Sequence, residues 1–298
     1  MRTTPYPEGP WSRSAAAIVC TIALGIGALA AGAAGGALGL SLAVGGCLLA
    51  RRWSRARLSR RSALLAEPFP EAWRDLLRDR CDHYDRLPAP LRETFENDLR
   101  VLLAEKRITG VGVEVTDELR VLVAASAVTL SLGWPEYEWD QLAEVLLYPD
   151  DFDRDYQIGA SEISGQAHSW GTVILSVPAL EQSFDDPDDA YHVGFHEFAH
   201  LLDVEHAHFD GIPVGFDEAH ARLWIEIRER EMERLRRGPS VLDDYGAHDP
   251  VEFLAVAVEA FFEAALALRR RHHELYELLV AYFHQDPAAW DDARGLRL

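Results

Sequence analysis

From Ala15 to Ala50 the chain carries no charged residue. This stretch, "AAAIVCTIALGIGALAAGAAGGALGLSLAVGGCLLA", limits the possible folds more than any other feature. As one helix it would run roughly 54 Å at 1.5 Å per residue. A bilayer's hydrocarbon core is only ~30 Å thick and needs about 20 residues. The sequence therefore predicts an N-terminal transmembrane helix, tilted, or a helical hairpin. The glycine-rich middle, Gly32 to Gly39, is the expected bend, and its small residues let two helices approach closely. "RRWSRARLSRR" follows at 51–61, and the positive-inside bias places that end in the cytoplasm. A hairpin also keeps Arg2 and Arg13 inside, and is preferred for that reason. A cleaved signal peptide is a poor match, because the apolar run is too long and arginines follow it. Residues 1–61 are thus expected to form a membrane anchor with a basic juxtamembrane segment, and residues 62–298 a separate domain.

Charge divides the chain the same way. Residues 1–61 hold eight of the 29 bases and one of the 49 acids, so they carry +7 and the remainder −27. An acidic body of that size repels phosphates, which argues against nucleic acid as a partner. The three cysteines, Cys20, Cys47 and Cys81, show no metal-ligand spacing, so a cysteine-type zinc site is not expected.

Beyond a short linker, Ser62 to Pro70, helical spacing recurs at 71–87, 88–108, 190–204, 219–237, 249–268 and 274–285. Asp249 and Pro250 supply an N-cap and a first-turn proline for the helix at 249–268. "AEVLLYP" (143–149) and "WGTVILSVPAL" (170–180) read as strands. Val111, Val113 and Val115 alternate before an apolar helical segment. The body is a mixed α/β arrangement in which helices dominate.

"GFHEFAHLLDVEH", Gly194 to His206, contains His196, Glu197 and His200 as H-E-x-x-H. Residues four apart on a helix differ by about 40° in azimuth, so both imidazoles point from one face. Glu197 lies about 100° from His196, where it reaches a metal's water rather than the metal. This is the arrangement for metal-assisted hydrolysis: zinc acidifies a water and Glu197 takes its proton. The helix is largely apolar, and two unpartnered histidines and a glutamate would be costly there.

The spacing leaves the third ligand open. His206 matches H-E-x-x-H-x-x-G-x-x-H, but Asp203 stands where that pattern has its turning glycine. Met232 lies in a charged helix rather than in the methionine turn that class uses. Glu218 and Glu226 sit in a stretch whose ordinary role is a solvated face. Glu252 and Glu259 sit among apolar residues, seven apart and so nearly on one face, where carboxylates need partners. One of them can bind zinc while the other orients a ligand histidine. Glu252 can also serve simply as a helix cap.

"VLLYPDDF", "SGQAHSWGTVILS", "QSFDDPDDAYHVGFHE", "DGIPVGF", "LDDYGAHDPVEFLAVAVEAFFE" and "FHQDP" closely resemble the zinc peptidases related to Mlc titration factor A, over about residues 69 to 287. That family's catalytic domain is similar to anthrax lethal factor. The resemblance implies a helix-rich α+β, zincin-like metallopeptidase domain with a small mixed sheet. It implies one Zn2+ per chain held by His196, His200 and Glu252, with Glu197 as general base and Tyr245 stabilising the oxyanion. Asp203 and Glu259 become candidates for supporting the ligands. The strand with Gly165, His168 and Gly171 becomes the candidate for pairing with an extended peptide substrate. His168 and Thr172 replace the family's usual tryptophan and proline there, so preference is expected to differ. The implied activity is aminopeptidase-like cleavage of short peptides, at a bacterial inner membrane with the catalytic domain facing the cytoplasm. The rival expectation is a non-enzymatic zinc-containing module that binds a transcriptional repressor or another protein partner.

Overall fold

The computed structural model describes residues 33–134, 137–159, 163–203 and 209–293. The chain divides into two compact units, with the main boundary after residue 68. In the first, helix α1 (Ala33–Ala66) is continuous over 34 residues. Gly35, Gly36 and Gly39 are helical, so the bend expected in this region is absent from residue 33 onward. The basic segment is helical too, and "SALLA" carries the helix into the expected linker, because alanine and leucine are strong helix formers. Pro68 and Pro70 follow the helix end, leaving a shorter linker. Arg57 and Arg61 both donate to the Glu138 carboxylate, at 2.7 and 2.6 Å, so these two charges are already partnered. Among the described residues no helix is long and apolar enough to cross a membrane. Residues 15–32, half of the uncharged stretch, lie outside the described residues.

The second unit opens with α2 (Glu71–Arg80) and α3 (Asp82–Arg86), one expected helix interrupted at Cys81 (φ −111°, ψ 89°). Helix α4 (Ala89–Glu105) starts after Pro88 and leads into strand β1 (Arg107–Gly110). The strand thus precedes the alternating valines. Helix α5 (Asp117–Ser131) is capped by Thr116, whose hydroxyl accepts from Leu119 N. Strands β2 (Glu144–Tyr148), β3 (Gly165–Ala167) and β4 (Thr172–Ser176) complete a four-stranded sheet ordered β1-β2-β4-β3. The first three neighbours in that order run parallel, and β3 runs antiparallel to β4, with Gln166 opposite Ile174. The expected strand at 170–180 stops at Ser176. Helix α6 (Val177–Asp185) takes over, because proline is tolerated in a helix's first turn.

Helices α7 (Val193–Leu201), α8 (Glu218–Leu235) and α9 (Pro250–Glu263) follow. The helix expected over 249–268 breaks at Ala264 (φ −113°, ψ 37°), which separates α9 from α10 (Ala265–Arg271). Helices α11 (His273–Phe283) and α12 (Pro287–Ala293) close the described chain. The result is the helix-rich α+β domain with a small mixed sheet that the sequence predicts.

Burial explains the arrangement. Phe253 to Phe262 on α9 are all essentially inaccessible, as are Val121 to Ala125 on α5. Helices apolar on every side belong at the centre of a domain. Helix α7 packs against both and beneath β3 and β4, so the H-E-x-x-H segment is held between two core helices and the sheet edge.

Candidate metal centre

Helix α7 is started by His192. Its imidazole Nδ1 accepts from Phe195 N at 3.2 Å and its ring stacks on Phe195, 3.7 Å between centroids. One turn further His196 faces the cleft, and His200 follows on the same face with ring centroids 4.9 Å apart. Helix α9 is started by Asp249, which accepts from Val251 N and Glu252 N. Glu252 therefore occupies the first turn without being the cap residue itself. Its Oε2 lies 3.0 Å from His196 Nε2 and 3.7 Å from His200 Nε2.

Those three side chains place their ligand atoms within 4.8 Å of one another. Donors bound at zinc's usual distances around a tetrahedron lie roughly 3.3 Å apart, so the observed separations bracket that geometry. Glu259, seven residues after Glu252, puts Oε2 3.3 Å from His196 Nδ1 and accepts from His192 N through Oε1 at 2.9 Å. One carboxylate thus holds both the start of α7 and the outer nitrogen of a candidate ligand.

The charges point to a cation as well. Burial opposes charge on His196, but Glu259, Glu252 and Glu197 outweigh it and hold the imidazole well above its ordinary range. A site that attracts a proton this strongly also attracts a divalent ion. His200 has less help, and burial brings it down to about 3, the neutral form a metal requires. Burial raises Glu252, but hydrogen bonding to His196 and the charge of that imidazole leave it below its usual value.

Glu197 is buried beneath β3. A Cβ on Gly165 would fall 2.5 Å from Glu197 Oε1, so only glycine lets the strand pass this close. Burial, with Glu252 and Glu259 adding to it, raises Glu197 to about 8. Its Oε2 has no protein partner. Tyr245 comes from a 3-10 turn, Asp244–Ala247, capped by Asp243. Its ring is 6.1 Å from His196 and is half exposed. His196, Glu197, His200, Tyr245, Glu252 and Glu259 all line one cleft of about 590 Å³, together with the β3 edge at Gly165, Gln166 and Ala167.

Other sequence candidates fall elsewhere. Asp203 is fully buried, and its carboxylate accepts from Asp210 N, Gly211 N and Ile212 N. It organises the returning loop, which brings Phe209 to 5.8 Å from the His200 ring. His168 and Gly171 lie past the end of β3 and outside the cleft lining. Gly171 serves the turn: its φ is +96°, and a Cβ would meet Gln141 O at 1.9 Å. Glu218 and Glu226 are solvent-exposed, and His206 lies outside the described residues. Sequence reasoning missed His192 and the cleft-lining Tyr191, Asp243 and Phe209. Only His192 left a signal, a polar residue directly before an apolar helical run.

The model of the glucose-regulated metallo-peptidase M90 family matches residues 51–284. The chain belongs to this family. Its M90 match begins within α1 and covers both helices of the candidate centre. An uncharacterized protein of Synechocystis is 31% identical over 244 residues, covering 76% of this chain and 89% of that one. Mlc titration factor A of Yersinia enterocolitica is 30% identical over 228 residues, 68% of this chain and 83% of its own. The Edwardsiella ictaluri protein of the same name is 29% identical over 224 residues, with 69% and 82% covered. The resemblance read from the motifs holds. Metallopeptidase membership and a His-His-Glu cluster suited to a metal ion agree with each other.

Proposed function

We propose that this M90 chain is a zinc-dependent peptidase in which His196, His200 and Glu252 hold the metal. The observation that carries the reading is the Glu252–His196–His200 cluster, with Glu197 buried beside it and Gly165 above it. Zinc at this position would acidify a water and polarise a scissile carbonyl. Glu197 accepts a proton from the attacking water and passes it to the leaving amine. The Tyr245 hydroxyl donates to the oxygen on which negative charge develops. Glu259 fixes the tautomer and orientation of His196. The β3 edge offers main-chain groups to an extended peptide, and the support for aminopeptidase-like cleavage of short peptides is the resemblance of the motifs to the zinc peptidases related to Mlc titration factor A.

For location the support is the sequence: 36 uncharged residues, then an arginine-rich segment. It supports anchoring at a bacterial inner membrane, with this domain on the cytoplasmic side.

The name Mlc titration factor A speaks of titration rather than catalysis, which favours one other reading: a metal-holding module that acts by binding a protein partner, such as a transcriptional regulator. One experiment separates the two. Metal content and cleavage of a peptide library are measured for the full chain and for Glu197→Gln. The enzyme reading expects zinc to be retained and cleavage to fall about 10²–10⁴-fold, the ordinary contribution of a general base. Equal cleavage in both proteins would sink it.

A further inference from the structure

At the C-terminal end of α9 lies a second cavity, of about 720 Å³, within the range of small-molecule sites. Its walls come from the ends of α3 and α9, the start of α10, the loop before α7, and Ser240 with Val241. It carries five carboxylates, Asp82, Asp188, Asp189, Glu263 and Asp291, against one guanidinium, Arg86. Arg86 is already taken: one terminal nitrogen pairs with Asp82, the other with Asp291 at 3.1 Å. Glu263 is the unusual member. It is only 7% exposed, and its Oε2 has no hydrogen-bond partner. A buried, half-satisfied carboxyl is costly, and a cation bearing hydrogen-bond donors would relieve it.

Two other uses of this cavity fail. Among the described residues, only the His196, His200 and Glu252 group brings three metal-ligating atoms together, so this is not a metal cage. Ser240 Oγ lies 2.8 Å from His272 Nε2, and His272 Nδ1 lies 2.6 Å from Glu231, which imitates a nucleophile-base-acid chain. But Leu242 N–H already donates to that Oγ at 3.2 Å, and carboxylates around the cavity would oppose an oxyanion. This chain is a strut that braces the wall.

The remaining wall is aliphatic, from Val241, Ala264 and Leu266. We infer that this cavity binds a guanidinium or ammonium group on an alkyl stem, with Glu263 as buried anchor, Asp189 as second anion, and the stem against Val241 and Leu266. Burial raises Glu263 to about 10, so the empty site holds a proton that an incoming cation displaces. The charged groups facing Glu263 are Asp189 in the loop before α7, Glu259 one turn earlier on α9, and Arg86 at the end of α3. Tyr191 links this site to the other one: its main-chain N–H donates to Asp189 Oδ1 at 2.9 Å, while the residue lines the metal cleft.

The probe is agmatine, a guanidinium on an alkyl stem, titrated calorimetrically into the full chain in buffers of different ionisation heat. Saturable binding with proton release is expected, tightening from about pH 7 to about pH 9 as Glu263 becomes easier to ionise. Glu263→Gln keeps the side chain's shape and weakens binding by about tenfold or more. Glu252→Ala, in the cleft, leaves agmatine affinity unchanged. N-acetylarginine amide is the second arm. If it binds as well, the natural ligand is an arginine side chain in a peptide; if only agmatine binds, it is a free amine. No saturable heat, undiminished binding to Glu263→Gln, or loss of binding in Glu252→Ala instead would each overturn the inference.

Discussion

The two ends of α9 carry carboxylates in opposite situations, Glu252 half-buried and Glu263 buried. At the N-terminal end Glu252 is flanked by His196 and His200, and despite burial its carboxyl stays below the usual range. At the C-terminal end the one cation facing Glu263 is a committed arginine, and burial, with Asp189 and Glu259 adding to it, carries the carboxyl to about 10. Glu259, between them, is raised by burial although His196 and the His192 main chain both stabilise its charge. All three share one apolar helix. The partner therefore decides whether a buried carboxylate is ready to bind a cation or is held as a neutral acid.

The largest test of that contrast removes Glu252. Glu252→Ala should strip the metal from the purified chain, measured by elemental analysis, whereas His206→Ala should retain it. The reverse pattern would move the third ligand to His206. A smaller effect is expected from Glu259→Gln, which keeps the shape but not the charge behind His196. Metal affinity, read by chelator competition, should fall about 10–100-fold, the usual cost of removing a ligand's supporting carboxylate. Unchanged affinity would mean that Glu259 serves only the start of α7.

The smallest effect tests the other end. The folded-state pKa of Glu263 is raised, so its contribution to stability is full below about pH 4.5 and is lost as pH rises toward about 10. Glu263→Gln removes that dependence. Denaturant unfolding should find the variant more stable than wild type by on the order of 2 kcal/mol near pH 8, with the gap closing toward pH 5. A gap that widens on acidification would mean Glu263 is ionised in the fold.

Much of this was legible beforehand because the signals are local. H-E-x-x-H declares itself by a four-residue spacing, and Asp249-Pro250 by cap chemistry. Both helices form where those signals place them. The breaks at Cys81 and Ala264 were not legible, since neither residue is a strong helix breaker and packing imposes the turn. The segment carrying Gly165, His168 and Gly171 was read as one strand, but it divides: Gly165 opens β3, while His168 and Gly171 lie in the turn that leads to β4. The apolar run at 172–176 is the interior strand β4, while the short polar β3 takes the edge. Strongly apolar strands read clearly because they are buried on both faces. His192 was missed because its one local signal, a polar residue directly before an apolar helical run, does not by itself mark a capping histidine.

The sequence by itself determined that His196 and His200 share a helical face, and that Glu252, Glu259 and Glu263 share another. Spacings of four, seven and eleven residues all return within about 40° of the same azimuth. Periodicity says nothing of where along α9 the other helix crosses. Eleven residues span roughly 16 Å of helix, more than one metal site can reach. Only the packing of α7 against the N-terminal part of α9 decided that Glu252 meets both histidines and Glu259 backs one of them. The same packing left Glu263 to a different cavity, because each carboxylate takes its chemistry from what the folded chain places opposite it.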